Sequence, residues 1–158
     1  MNFDTRLNDL GLTLPNLGPP SGRYVHAVED DGVLFVAGKG IDGVHGKLGK
    51  DFSLDEGVEF AQATGLLLLS AIRDALGTLN RLLRIIRVFG MVNCTPDFSN
   101  HPEVIDGCSD LLIEVFGDAG RHVRMAVGAN SLPSQTPLEI ELSLRIASDR
   151  HEQATVDQ

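Results

Sequence analysis

Long apolar runs are missing from this sequence. Its most apolar stretch, GLLLLSAI, is broken by Ser70 and followed by Arg73, well short of the ~20 residues a spanning helix needs, so no membrane span is expected. The start, MNFDTRLNDLGL, has neither a basic n-region nor an apolar h-region; a secretory signal is not expected, and a cytoplasmic location is. Cysteine is scarce. Cys94 and Cys108 fit no metal or redox spacing and, in a reducing compartment, are expected as small buried hydrophobes rather than a disulfide. Positive charge is short as well: 13 Lys and Arg face 22 Asp and Glu, for a net charge of −9. That balance opposes nucleic-acid binding, because phosphate contacts need clustered cations, and the one basic cluster, Arg81, Arg84 and Arg87, lies in an apolar strand-like run. The chain also lacks a phosphate-binding glycine loop, HExxH, GxSxG and paired cysteines. Its five histidines, His26, His45, His101, His122 and His151, show no ligand spacing. Neither a metal nor a cofactor is expected.

What is present reads as one soluble globular domain over residues 1–158: 42% hydrophobic and 22% charged residues, with a mean hydropathy near zero. DTRLNDLGL predicts a short N-terminal helix ending at Gly11, and PNLGPPSG a linker after it. YVHAV and VLFVAG, separated by Glu-Asp-Asp-Gly, predict a β-hairpin. A loop with room for a short strand follows. Ser53-Leu54-Asp55-Glu56 matches a capping box opening a long amphipathic helix that Gly77 closes. RLLRIIRVFGMVN is apolar on both alternating faces, which predicts a central strand covered on two sides. A second helix is expected from about Pro102 to Phe116, then the strand VRMAVGA, a Leu-Pro break and the alternating strand PLEIELSLRIA. The tail SDRHEQATVDQ is polar and expected to be flexible. Two helices and five or six strands predict a two-layer α+β sandwich with both helices on one face. The other sheet face then needs a cover, for which an oligomer packing sheet faces together is the economical solution.

Arg124 raises the sharpest question, since it sits among small and apolar residues in GRHVRMAVGANSLP. If the last two strands are neighbours, Arg124 and Glu139 approach the same site. They either form an inter-strand salt bridge or leave the guanidinium open to grip a ligand carboxylate on two prongs. Ala126, Gly128 and Ala129 either make room for that ligand or serve close sheet packing.

These residues resemble the C-terminal signature of the Rid/YjgF family of reactive-intermediate deaminases: an arginine eight residues before the Leu of a Leu-Pro pair, as Arg124 is before Leu132, then a strand opening Glu-Ile-Glu with Glu139 first. The hairpin RYVHAV…GVLFVAGKG is similar to the family's N-terminal one, placing Tyr24 on its tyrosine and Gly38 on its glycine. The likeness spans about residues 18 to 147, and VFGMVNCTPDFSNHPEVIDGCSDLLIEVFGDAGRH resembles a less studied branch. The resemblance implies a chorismate-mutase-like fold assembled as a homotrimer with sites at subunit boundaries. It implies hydrolysis of 2-imino or enamino acids to a 2-keto acid and ammonia. Arg124 would hold the substrate carboxylate, Glu139 would position water, Tyr24 would close the pocket from a neighbouring subunit, and Gly38 and Ala126 would line it. The chain departs from the family at Met125 and Ala126, where Ser and Cys are usual, at Ala37, where Ser is, and near Ser109, where a helix-borne Asn belongs. A trimeric binder of small carboxylate metabolites is therefore the alternative to a deaminase. The ribonuclease activity ascribed to some relatives fits the acidic charge poorly.

Overall fold

Alternation along the strands decides which side of the sheet the helices cover. In the computed structural model, which describes residues 1–147, the order is α1 (Phe3–Asp9), β1 (Ala27–Asp30), β2 (Val33–Lys39), α2 (Leu54–Leu76), β3 (Leu82–Asn93), α3 (His101–Phe116), β4 (Val123–Ala129) and β5 (Leu138–Ile146). Leu138, Ile140, Leu142, Leu144 and Ile146 of β5 are buried, and so are Leu34 and Val36 of β2 and Ile85, Val88 and Val92 of β3. Against them pack Leu68, Leu69 and Ile72 of α2 and Ile105, Leu111 and Leu112 of α3. Each such Leu or Ile contributes about 1.5–3 kcal/mol of transfer free energy.

The hairpin between β1 and β2 turns on Asp31 and Gly32, both at positive φ (46° and 75°), the two-residue turn whose twist suits paired strands. Both halves of the capping box form: the Glu56 N–H donates to Ser53 Oγ at 3.2 Å and the Ser53 N–H to Glu56 Oε2 at 2.8 Å. Gly77 ends α2 in the left-handed conformation, φ 76°. Helices α2 and α3 cross with almost no gap, since a Cβ on Gly107 would fall 2.1 Å from the Val58 carbonyl oxygen.

Three helices are present rather than two. The third, α1, is the expected N-terminal segment, capped by Asn2. It is tied down by Asp4, which accepts from Thr78 Oγ1 and Asn80 Nδ2, and by the edge-to-face contact of Phe3 with Phe116 at 5.0 Å. Between residues 39 and 54 only isolated bridges through Leu48 form, so the optional extra strand is absent there. The predicted tail, with His151, lies outside the described residues.

The sheet order is β1-β2-β5-β3-β4, with β3 and β4 parallel and the other neighbours antiparallel. The condition under which Arg124 and Glu139 approach one site is therefore not met: the last two strands are not neighbours, because β3 lies between them. The physical reason is the connection through α3, which returns β4 alongside β3 as a parallel neighbour. The segment 130–137 then arches over the end of β3, where Asn93 is the hub. Its N–H donates to Pro137 O at 2.9 Å, its Nδ2 to Thr136 O at 3.3 Å, and its Oδ1 accepts from Lys47 Nζ at 2.6 Å. β3 is interior, as its apolar run predicts, yet the helices cover it on one side only. On the other, Leu83 and Ile86 are exposed, as are Phe35 on β2 and Met125 on β4.

Candidate functional site

The two faces of the sheet separate the residues that the sequence brings together. On β4, Arg124 lies opposite buried Val88 and points to the helix side, where its Nη1 donates to Asp106 Oδ1 at 2.7 Å and to Ser109 Oγ at 3.0 Å, both on α3. Among the described residues its Nε and Nη2 have no partner. Ser109 Oγ is also 3.0 Å from His122 Nε2, while His122 Nδ1 is 2.6 Å from Gly120 O. A carbonyl only accepts, so Nδ1 carries the hydrogen and Nε2 takes the Ser109 hydroxyl proton. Burial lowers the His122 pKa, a tendency that outweighs the Gly120 hydrogen bond and has a smaller contribution from the Arg124 charge acting the same way. The neutral ring that accepts from Ser109 is thereby favoured. Among the described residues these hydrogen bonds fix Arg124 by one nitrogen and leave the other edge of its fork open. The salt bridge to Glu139 does not form; Asp106 takes that place.

Glu139 is on the opposite face. It alternates with buried Leu138 and Ile140 and lies across from Met91. Arg124 is level with Val88 and Glu139 with Met91, so the two are separated by two strand spacings across the sheet and three residues along it, roughly 14 Å, with the sheet between their side chains. The carboxylate lies over Gly38, where a Cβ would come 2.5 Å from Glu139 Oε1. That approach explains the glycine.

Around Glu139 opens a cleft of about 720 Å³ lined by Tyr24, Gly38, Lys39, Ser134 and Thr136 among others. It exists because β1 stops short: β1 pairs only with Val33 to Val36, leaving the far half of β2 beside the loop that carries Tyr24 and His26. Tyr24 is 46% exposed and its hydroxyl is 3.3 Å from Ser21 Oγ. It lines the same cleft as Gly38 and Glu139. Ala126 is not there. It sits on the helix side of β4 opposite Gly90 and packs against the core.

Sequence reading missed Asp106, His122 and Lys39 as site residues. Asp106 and Ser109 share a face of α3 at i, i+3, and His122, the residue before β4, stands two positions from Arg124; those spacings were the available signal. Lys39 directly follows Gly38. Both cysteines are free and buried, as expected. Burial raises both thiols, Cys108 to about 12, which leaves neither as a ready nucleophile. Among the described residues no cluster of three His, Cys, Asp or Glu is placed to hold a metal, and no helix is long and apolar enough to cross a membrane.

Residues 4–142 match the YjgF/chorismate mutase-like family model. The chain belongs to that family. Several YjgF members are imine or enamine deaminases. Protein TCP17 of Trypanosoma cruzi is 36% identical over 141 residues, 85% of this chain and 88% of its own. Among solved structures, a candidate endoribonuclease of Shewanella oneidensis MR-1 is 30% identical with a TM-score of 0.87, over 92% of this chain and all of the other. Protein Atu1372 of Agrobacterium tumefaciens, of unknown function, is 32% identical with a TM-score of 0.83, over 92% of each chain. Escherichia coli TdcF, solved with bound serine, shares the fold at 20% identity and a TM-score of 0.57, over 82% of this chain and 92% of its own.

Proposed function

We propose that this YjgF-family chain is a cytoplasmic hydrolytic deaminase of 2-imino and enamino acids, yielding a 2-keto acid and ammonia, with its complete site formed between subunits of a homotrimer. The observation that carries the reading is the pair of half-sites. Arg124, anchored through Nη1 with its remaining fork open, lies on the edge strand β4. The cleft of Glu139 opens beside β2, toward the other edge. One chain holds them on opposite faces of its sheet, so they meet only when β4 of one copy docks by the cleft of the next. Such a head-to-tail contact closes into a ring, and the ring gives the exposed Phe35, Leu83, Ile86 and Met125 of the uncovered face a place to be buried.

In the assembled site the open edge of the Arg124 guanidinium grips the substrate carboxylate on two prongs. Glu139 holds a water against the imine carbon and takes its proton as attack proceeds. Orientation supplies much of the effect, because an imine carbon is already electrophilic. A small metabolite carboxylate suits the cleft, as TdcF with its bound serine illustrates for the shared fold. With a net charge of −9, ribonuclease activity is the weaker reading.

The test generates 2-imino acids in situ with an amino-acid oxidase and follows keto-acid release. Acceleration by the wild type, lost in Arg124→Ala, is expected. No acceleration across small and bulky substrates removes the deaminase reading. It would leave a trimeric carboxylate binder, which Ala37, Met125 and Ala126 in place of polar groups favour, and calorimetry with 2-keto acids checks that alternative.

A further inference from the structure

A second reactive group borders the Glu139 cleft at the bulged edge of β2, where Lys39 pairs with Ile140. Lys39 is 7% exposed, lines the cleft with Glu139 and Tyr24, and curls its Nζ back onto the Ala37 carbonyl at 2.9 Å and the Gly38 carbonyl at 3.5 Å. Among the described residues no carboxylate forms an ion pair with it. A lysine buried to this degree on two neutral acceptors holds its charge at a cost. Burial accordingly lowers its pKa, against a smaller upward pull from the Glu139 charge. Nearby, His26, which also borders the cleft, donates through Nε2 to Gly18 O at 2.8 Å, and its Nδ1 is buried with no hydrogen-bond partner.

We infer that Lys39 is a carbonyl-reactive amine that forms a covalent imine with 2-imino and 2-keto acids in the Glu139 cleft. The inference rests on the proposed deaminase reading and gives it a covalent route. The neutral amine adds to C2 of the iminium substrate, forming a new C–N bond. A proton passing through Glu139 moves from the Lys39 nitrogen to the substrate nitrogen, which leaves as ammonia. Water then adds to the Lys39-linked imine, its C–N bond breaks, and the 2-keto acid departs with the amine restored. One water is consumed, and one ammonia and one proton are released per iminium, with no change of oxidation state. The alternative role is that Lys39 only covers the carbonyls of a strand edge, a use to which edge lysines are often put.

Borohydride reduction during incubation with pyruvate separates the two roles, because it converts the imine to a stable secondary amine. The chain has three lysines, Lys39, Lys47 and Lys50, so peptide mapping of the wild-type protein identifies the modified one without relying on a variant. Expected is one adduct on Lys39, absent in Lys39→Arg, together with at least a tenfold slower deamination by that variant. No adduct in the wild type, an adduct confined to Lys47 or Lys50, or wild-type turnover by Lys39→Arg overturns the inference while leaving the deaminase reading intact. An adduct on Lys39 in a protein that accelerates no imine hydrolysis supports the amine assignment and removes the deaminase reading instead.

Discussion

Replacing Gly38 by alanine separates function from stability at one atom. The new Cβ would stand 2.5 Å from Glu139 Oε1 and 3.2 Å from Glu139 Cγ and Cδ, and these atoms belong to a flexible side chain that can swing aside. The strain of that swing is about 0.5–1.5 kcal/mol. It is offset by about 0.4–1 kcal/mol from the lower backbone freedom of alanine in the unfolded chain. Net stability should therefore change by less than about 1 kcal/mol, a shift of no more than about 2–4 °C in Tm for a chain of this size. The carboxylate, however, moves by the better part of an ångström, and such a displacement of a catalytic group costs about a hundredfold in rate. Thermal melts beside kcat for an in situ generated 2-imino acid read both quantities. A Gly38→Ala protein that melts like the wild type and turns over like it would refute the role given to Glu139.

Gly107→Ala makes the opposite prediction. The clash is with the Val58 carbonyl oxygen at 2.1 Å, helix backbone against helix backbone, so nothing can swing aside. A loss of about 1–3 kcal/mol or more is expected in urea unfolding. His122 gives a pH dependence. Its folded pKa lies below the ordinary 6.5, so below that value the unfolded chain binds more protons than the folded one, and stability falls as pH drops through the window under 6.5. Denaturant midpoints measured between pH 7.5 and 5 should decline for the wild type and decline less for His122→Gln; equal slopes would remove His122 as the source.

The elements were legible in the sequence wherever a local rule decides them. Ser53 with Glu56, Asp31-Gly32 and the clean alternation of Leu138 to Ile146 each carry their own geometry. The strand order was not, because it depends on what α3 and the 130–137 arch do at the end of β3. No local pattern announces that Asn93 will hold that arch. The same gap bears on the candidate site. Arg124 and Glu139 stood out as residues, but inferring that they meet within one chain required neighbouring strands, and β3 separates them. Asp106 was missed because an acidic residue on a helix is ordinarily a solvated one; its pairing with Arg124 appears only once α3 lies over β4. Lys39 escaped notice because nothing in VLFVAGKG announces that its amine will fold back onto the Ala37 and Gly38 carbonyls.

A mixing experiment tests the shared site most directly. Arg124→Ala and Glu139→Gln proteins are each expected to be inactive. Refolded together in equal amounts they form mixed rings, in which about one junction in four combines an intact Arg124 from one subunit with an intact Glu139 from the next. Recovery of about a quarter of wild-type keto-acid release is predicted. Continued inactivity of the mixture, with hybrid rings present and the wild type active, would contradict a site completed across subunits.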